Sequence, residues 1–236
     1  MQRVRHELKR REVNVARVEG ISPHVRRVTL QGESLADFVS ASFDDHLKLF
    51  VPVPGGDAVG RDYTPRRFDN AACELVIDFA LHGDGPAAQW AAQAEPGQRV
   101  VVGGPRGSFI VPLDFDWHLL VGDDTALPAI ARRLEELPPG AKAIVVLQVD
   151  EADRQPLHSA ASLDLTWVAT EDGLMQAVRE LALPSGEGYA WCAGEAAAMA
   201  ALRRVLVEDK GHPRQAIRAA AYWKRGATAH HENLED

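Results

Sequence analysis

The pattern of apolar and polar positions changes character near the middle of the chain. In the first hundred residues, HVRRVTLQG at 24–32 and DHLKLFVP at 45–52 alternate apolar and polar side chains. Two further runs, CELVIDFALHG at 73–83 and QRVVVGG at 98–104, are rich in apolar and β-branched residues. Stretches typical of turns separate these runs at 52–57, 68–70 and 95–97. A period of two with such turns predicts short antiparallel strands.

One helical segment interrupts this β pattern. PAAQWAAQAEP begins at Pro86, directly after a Gly-Asp-Gly stretch, and proline is well tolerated in the first turn of a helix. Several short strands with a single short helix predict a small antiparallel β-barrel.

After Leu113 the pattern becomes an alternation of strands and helices. Apolar strand-like runs occur at 117–124, 143–149, 165–170 and 189–195. Helical patterns follow them in TALPAIARRLEEL, around 173–182, and in AAAMAALRRVLVEDKG, which we expect to stop at Gly211. IRAAAYWKRG comes near the end of the chain. This order predicts parallel βαβ units, so we expect a β domain over 1–114 and an α/β domain over 115–236.

Composition and charge exclude several classes of function for this protein. The 236 residues include 46% hydrophobic residues and carry a formal net charge of −8, which argues against a nucleic-acid partner. The basic N-terminus lacks the apolar segment of a secretory signal, and no apolar run reaches the roughly 20 residues of a membrane span. Two distant cysteines, Cys73 and Cys192, exclude a four-cysteine cluster and are expected to be reduced. We therefore expect a cytoplasmic protein without a metal site of its own.

The segment RDYTPRRF, at 61–68, combines residue types that suit a flat anionic ligand. In an extended conformation Arg61, Tyr63 and Pro65 share one face, and Thr64 and Arg66 share the other. A planar guanidinium binds phosphate through two hydrogen bonds, and an aromatic ring can cover a flat cofactor such as a flavin. The alternative is a polar hairpin edge with its arginines in solvent.

Two glycine-containing segments could contribute further anion contacts. In HGDGPAAQW at 82–90, glycines precede the start of a helix, where unpaired N–H groups and the helix dipole favour anions. In GGPRGSF at 103–109, Arg106 and Ser108 follow a predicted strand. An ordinary strand–turn–helix connection and a plain tight turn are the respective alternatives.

A family resemblance is carried by six motifs in order: RDYTPRRF, DFALHGDGPAAQWA, GGPRGSF, GDDTALPAIARRLEELP, WCAGEAAAMAALRR and AYWKRG. Together they resemble the siderophore-interacting proteins, which are flavin-containing ferric-siderophore reductases within the ferredoxin-reductase-like superfamily. The likeness extends from about residue 10 to 230. The HGxGPAxxW block and the terminal YWKRG are its most specific parts.

This resemblance implies non-covalent FAD in a cleft between an N-terminal FAD-binding β-barrel and an α/β domain similar to NAD(P)H-binding domains. The FAD contacts that it implies in the barrel domain are Arg61, Tyr63, Thr64, Arg66, Asp78, His82, Gly83, Gly85, Pro86, Ala87, Trp90, Arg106, Gly107 and Ser108.

The α/β domain lacks the GxGxxG fingerprint, and VGDDTALPA at 121–129 takes its place at the carboxyl end of a strand. Cofactor contacts are implied there for Asp124, Thr125, Ala126 and Glu195, although helix capping alone would also explain these residue types. The resemblance further places Tyr222 and Trp223 beside the flavin, in a C-terminal segment that covers it. Core packing is the alternative for both aromatic residues.

The implied activity is transfer of electrons from NADH or NADPH through FAD to Fe(III) in a siderophore or another ferric chelate. Lys48, Lys224 and Arg225 are the candidate catalytic residues, as a cationic rim for anionic ferric siderophores. An exposed strand lysine is the alternative for Lys48. Two other functions stay open: a reductase with a protein partner such as ferredoxin, and a siderophore-binding protein without turnover.

Overall fold

The computed structural model describes residues 1–53, 55–81, 85–227 and 232–234, so His82 and Gly83 lie outside the described residues. The chain divides into two compact units, Met1–Val111 and Pro112–Asp236. Within the described part of the chain, no helix has the length and apolar character needed to cross a membrane.

The N-terminal unit is built almost entirely from antiparallel strands. Seven of them form one curled sheet in the order β5-β4-β8-β2-β3-β7-β6, and β1 pairs separately with β9. The predicted antiparallel β domain is thereby confirmed, with β5 and β6 as the two edges of the sheet. The elements are β1 Gln2–Arg5, β2 Arg10–Ser22, β3 Val25–Gln31, β4 Leu47–Val51, β5 Val59–Tyr63, β6 Arg67–Asp69, β7 Glu74–Ala80, α1 Pro86–Ala92, β8 Arg99–Gly103 and β9 Gly107–Ile110.

Side chains of β2 and β4 alternate between buried and more exposed positions. Along β2, Arg11, Val13 and Val15 are buried, while the residues between them are exposed. Phe79 of β7 is fully buried between two other aromatic rings, 4.4 Å from Tyr63 and 5.7 Å from Trp90 of α1. The ring of Tyr63 thus packs against the core of the N-terminal unit and stays partly exposed.

The C-terminal unit contains a parallel sheet in the order β12-β11-β10-β13-β14, to which β15 adds antiparallel. The strands β11 and β12 follow each other on one side of β10, and β13 then pairs with the other side of β10. The carboxyl ends of β10 and β13 therefore meet at a topological switch point, where ligands bind in such sheets. The elements are β10 Trp117–Asp123, α2 Leu127–Glu136, β11 Lys142–Gln148, β12 Ser162–Val168, α3 Glu171–Glu180, β13 Gly188–Glu195, α4 Ala196–Arg204, β14 Ile217–Trp223 and β15 Glu232–Asn233.

The long helix predicted up to Gly211 has two parts. The α-helical part ends at Arg204, and a π-helical turn continues from Val205 to Asp209. In this wider turn the amide of Lys210 donates to the carbonyl of Val205, five residues back. Gly211 then reverses the chain with a φ of 67°, a conformation that favours glycine.

Candidate functional site

The RDYTPRRF segment begins within the edge strand β5. In the β4–β5 ladder, Arg61 lies opposite Leu49, Tyr63 opposite Leu47, and Asp62 opposite Lys48. Arg61 and Tyr63 therefore project from one face, as the sequence predicts, while Asp62 and Lys48 project from the other. Burial raises the pKa of the Tyr63 phenol above its ordinary value, so this side chain is a neutral aromatic surface at physiological pH.

Arg66 belongs to a cluster of two guanidinium groups around one buried carboxylate. Its amide donates to the carbonyl of Val76 at 2.9 Å, and its Nε lies 3.9 Å from Oδ2 of Asp78. Asp78 also accepts two hydrogen bonds from Arg27, from Nε at 2.7 Å and from the terminal nitrogen at 2.8 Å. The side chains of Arg66 and Asp78 are 11% and 6% exposed, so both charges are largely removed from water.

This Arg27–Asp78–Arg66 cluster fits a phosphate-bearing cofactor. The planar guanidinium groups of Arg27 and Arg66, oriented by one buried carboxylate, suit an anion with oxygen acceptors. Arg27 is absent from the sequence-based candidates because its proximity to Asp78 depends on the β3–β7 register, in which the two residues are directly opposed. Asp78, expected as a cofactor contact, holds both arginines in place.

The start of α1 has the geometry that its sequence predicts. Gly85 precedes the helix in an extended conformation without a side-chain cap, and Pro86 occupies the first turn. Ala87 is buried in the core, and Trp90 packs on Phe79. Thr64 is also buried, with 7% exposure.

The GGPRGSF loop is covered by the N-terminal strand β1. Ser108 lies opposite Val4, and a Cβ atom at Gly107 would lie within 2.4 Å of the Val4 carbonyl oxygen, so only glycine fits there. The hydroxyl of Ser108 donates to Asp45 at 2.6 Å and lies 2.7 Å from Nε2 of His6. The Ser108 side chain is therefore buried and hydrogen-bonded inside the unit, whereas the Arg106 side chain is exposed.

In the C-terminal unit, Asp123 at the end of β10 joins three segments. Oδ1 accepts from the amide and hydroxyl of Thr125 at 3.0 and 2.5 Å. Oδ2 accepts from the indole nitrogen of Trp223 at 2.8 Å and from the amide of Glu195 at 3.1 Å. Burial raises the pKa of Asp123 to about 6, with the nearby Asp124 as a second cause.

Glu195 forms a second link to the C-terminal segment. Its Oε2 caps α4 by accepting from the amides of Ala197 and Ala198, and Oε1 accepts from the amide of Arg225 at 3.2 Å. Burial opposes the charge of Glu195, but these three N–H donors outweigh it and lower the pKa of this carboxyl. Together, Asp123 and Glu195 hold the segment Trp223–Arg225 at the carboxyl edge of the sheet.

Two glycines permit this close arrangement. A Cβ atom at Gly122 would lie 2.4 Å from the Cβ of Ala126 and 2.6 Å from the Ala193 carbonyl oxygen. Gly194, with a φ of 153°, leaves room for the Asp123 carboxylate, which would lie 2.5 Å from an added Cβ. Close packing between strand and helix is one role of the glycines in dinucleotide-binding fingerprints, and Gly122 fulfils it here without a GxGxxG sequence.

The remaining predicted residues differ in their surroundings. The Lys48 ammonium lies 2.8 Å from Asp62, and the Arg225 guanidinium lies 3.2 Å from Glu171. Lys224 is exposed, and Tyr222 is half-buried with its ring 6.1 Å from that of Trp191. Within the described ranges, no group of three or more His, Cys, Asp or Glu side chains is placed to hold a metal ion.

Comparison with known proteins agrees with this two-unit arrangement. The family model of the siderophore-interacting FAD-binding domain matches residues 14–60 and 56–109, and the siderophore-interacting protein model matches residues 115–226. The NADPH-dependent ferric-chelate reductase of Escherichia coli is 37% identical over 246 residues, covering 94% of this chain and 96% of that protein. Ferric vibriobactin reductase ViuB of Vibrio cholerae is 32% identical over 251 residues, covering 94% and 93%.

Solved structures support the same relationship. A siderophore utilization protein from T. fusca superposes with a TM-score of 0.89 at 35% identity, covering 99% of both chains. The siderophore-interacting protein SipS from Aeromonas hydrophila gives a TM-score of 0.81 at 31% identity, covering 94% of this chain and 99% of the other. The chain belongs to the siderophore-interacting protein family, and its N-terminal unit is the FAD-binding domain of that family.

Proposed function

We propose that this protein is an NAD(P)H-dependent, FAD-containing ferric-chelate reductase that releases iron from siderophores as Fe(II) in the cytoplasm. The observation that carries the proposal is the Arg27–Asp78–Arg66 cluster, in which one buried carboxylate orients two guanidinium groups in the domain that matches the FAD-binding family model. The names of two relatives, an NADPH-dependent ferric-chelate reductase and a ferric vibriobactin reductase, support the choice of reaction.

The N-terminal unit supplies the groups that would hold FAD. Arg66 and Arg27 would bind the pyrophosphate, and Asp78 would fix the orientation of both guanidinium groups. Tyr63, supported from behind by Phe79, provides a flat neutral surface for the ring system. The chemistry supplied by bound FAD would be acceptance of a hydride from a reduced nicotinamide and transfer of single electrons to an acceptor.

The C-terminal unit would bind the nicotinamide dinucleotide at the carboxyl edge of its parallel sheet. Thr125 and Asp124 lie at the turn after β10, and Glu195, the last residue of β13, lies at the turn into α4. These two turns flank the switch point, which is the usual ligand position in such folds. NADPH is the donor that we expect, since the relative with 37% identity is named as NADPH-dependent.

Cationic side chains at the surface would attract the ferric substrate. Lys224 and Arg225 are exposed at the C-terminal segment, and Lys48 is partly exposed at the sheet edge of the N-terminal unit. Local positive charge raises the association rate of an anionic chelate even when the whole protein is acidic. Once the iron is reduced, hard oxygen ligands bind it less strongly, and it can leave the chelate.

The proposal is tested with purified protein loaded with FAD. We expect a yellow protein that forms Fe(II), detected by a ferrous-specific chromophore, only when NADPH or NADH and a ferric siderophore are both present. Failure to bind FAD would contradict the whole proposal. Fe(II) formation with reduced ferredoxin but with neither nicotinamide would instead identify a protein as the electron donor.

A further inference from the structure

The strand β12 forms one edge of the C-terminal sheet. It pairs in parallel with β11 over its seven residues, Ser162–Val168, and no strand covers its other side in the described part of the chain. The opposite edge of the same sheet ends in the two-residue strand β15. An uncovered edge presents a row of N–H and C=O groups to which another strand can bind.

The inner backbone groups of β12 are identified by its hydrogen bonds to the chain on the β11 side. The amide of Ser162 donates to the carbonyl of Ala141 at 2.9 Å, and the carbonyl of Val168 accepts from the amide of Val149 at 3.0 Å. In a parallel ladder the direction of these groups alternates from one residue to the next. The even-numbered residues of β12 therefore direct both backbone groups toward β11.

The outer backbone groups belong to Leu163, Leu165 and Trp167. Among the described residues, no backbone group forms a hydrogen bond with their N–H or C=O groups. Their large apolar side chains are half-buried, whereas Asp164 and Thr166 between them are exposed on the opposite face. The edge thus combines available backbone groups with apolar side chains that are incompletely covered.

The strand β12 lacks the features by which soluble proteins protect such an edge. Short strands, lysine, proline and bulges are the usual protection. The sequence SLDLTWV contains neither lysine nor proline, its register with β11 is unbroken, and Asp164 is its one charged residue. In the N-terminal sheet, by contrast, the edge strand β5 carries Arg61 and Asp62, and β6 has only three residues.

We propose that two copies of this chain associate through β12, in an antiparallel pair centred on Leu165 that joins their C-terminal sheets. In this register Leu165 lies opposite Leu165 of the second copy, and Leu163 lies opposite Trp167. Each outer N–H and C=O then has a partner, because opposed residues of this kind exchange both hydrogen bonds. The two-fold pair is closed, so it covers both β12 edges and recruits no further copies.

Self-complementarity identifies the partner as a second copy. On one face the pairing brings apolar side chains together, and on the other face Asp164 lies opposite Thr166 of the second copy, whose hydroxyl can donate to the carboxylate. A shift by one residue would place apolar side chains against polar ones. A centre at Leu163 or Trp167 would pair β12 with residues outside the strand.

This association leaves the carboxyl edge of the sheet open. β11 separates β12 from β10, and β13 lies on the far side of β10. Because the two copies run antiparallel, the carboxyl edges of their sheets face opposite directions. The inference is therefore independent of the proposed reductase function, and variants of β12 should keep wild-type ferric-chelate reduction.

Sedimentation velocity of the purified full chain with FAD, at about 1 to 300 µM protein, measures the association directly. We expect a dimer with a Kd in the micromolar range, because one strand pair is smaller than a standard protein–protein interface. A monomer throughout this range would overturn the proposal.

Amide exchange followed by NMR locates the contact within the chain. The amides of Leu163, Leu165 and Trp167 should gain protection as the protein concentration rises. The amides of Asp164 and Thr166 are already bonded to β11 and should change far less. A dimer without this alternation along β12 would place the contact elsewhere and overturn the pairing.

Two lysine variants at neighbouring positions test the register. Leu165→Lys would set two ammonium groups opposite each other at the two-fold axis, so it should weaken association by at least about 10-fold. Thr166→Lys is the matched control, because its ammonium group would face Asp164 of the second copy and should tighten association by about 2- to 10-fold.

The opposite signs of these effects separate the pairing from a loss of folding. Misfolding of Leu165→Lys could weaken association by itself, but it cannot produce a tighter dimer in Thr166→Lys. Unchanged or weaker association in Thr166→Lys would overturn the register centred on Leu165.

Discussion

The hydrogen bond from Trp223 to Asp123 gives the sharpest test of how the C-terminal segment is held. In Trp223→Phe the indole N–H is lost, and the buried carboxylate keeps three of its four protein donors. A hydrogen bond to a charged group is worth about 1.5–3 kcal/mol. Since the Trp223 side chain is 38% exposed, the smaller ring itself should add little to this loss. We therefore expect the C-terminal unit to lose about 1.5–3 kcal/mol of unfolding free energy.

Hydrogen exchange followed by mass spectrometry suits this measurement, because it reports the two units separately. Protection should fall at the amides of β14 and stay unchanged in the N-terminal unit. Thr125→Val is the matched control, since it removes a donor from the same carboxylate without touching the C-terminal segment. Both variants should lose comparable stability, whereas the loss of protection should centre on β14 only in Trp223→Phe. Wild-type protection of β14 in Trp223→Phe would refute the assigned role of this hydrogen bond.

Three further predictions concern other parts of the chain. Arg66→Ala and Arg27→Ala should each weaken FAD binding by about 10- to 100-fold, as measured by flavin fluorescence titration of the apoprotein; unchanged affinity would exclude that arginine as a phosphate ligand. Burial lowers the pKa of His118 to about 4, so the free energy of unfolding should fall by about 3 kcal/mol as pH falls from about 6.5 to 4. In His118→Leu, urea unfolding at several pH values should show that this part of the pH dependence is absent. Phe79→Ala should destabilise the N-terminal unit by about 3–5 kcal/mol in hydrogen exchange, and a loss below about 1 kcal/mol would show that its packing between Tyr63 and Trp90 contributes little.

The pH prediction depends on two pKa values that are shifted in opposite directions, those of His118 and Asp123. His118 is kept neutral in the fold, so the unfolded chain binds its proton first and acid favours unfolding. Asp123, whose pKa is raised to about 6, binds its proton first in the native state, and this favours the fold as pH falls from about 6 to 3.8. Because the two contributions partly cancel in wild type, the difference between His118→Leu and wild type is the informative quantity. A parallel pH dependence in both proteins would contradict the assignment to His118.

The sequence predicts the fold well wherever side chains alternate regularly between core and surface. In the C-terminal unit, the strands β10, β11 and β13 are short apolar runs, and they form as expected. The predictions omit β2, although it is the longest strand, because its polar residues and the Arg11 in a buried position obscure the period of two. The predicted end of the helix before Gly211 is also inexact, since a π-helical turn follows the same apolar pattern as an α-helix.

The candidate site is less predictable, because its key contacts join residues distant in sequence. Arg27 and Asp78 are 51 positions apart and meet through strand register alone. Asp123 and Trp223 are 100 positions apart, and Trp223 alone suggests either core packing or a flavin contact. For Ser108 the sequence motif suggests a cofactor contact, but its hydroxyl donates a hydrogen bond to Asp45 within the unit. Local motifs identify residue types, and tertiary pairing decides which of their atoms remain available to a ligand.

Anaerobic single-turnover kinetics tests the central claim most directly. The FAD-loaded protein would be reduced with one equivalent of NADPH and mixed with a ferric siderophore, while the flavin absorbance and a ferrous-specific chromophore are followed together. We predict that the oxidised flavin spectrum returns at the rate at which Fe(II) forms, with two Fe(II) for each flavin, since NADPH supplies two electrons and each Fe(III) accepts one. A reduced flavin that stays reduced with every ferric chelate supplied would contradict the account.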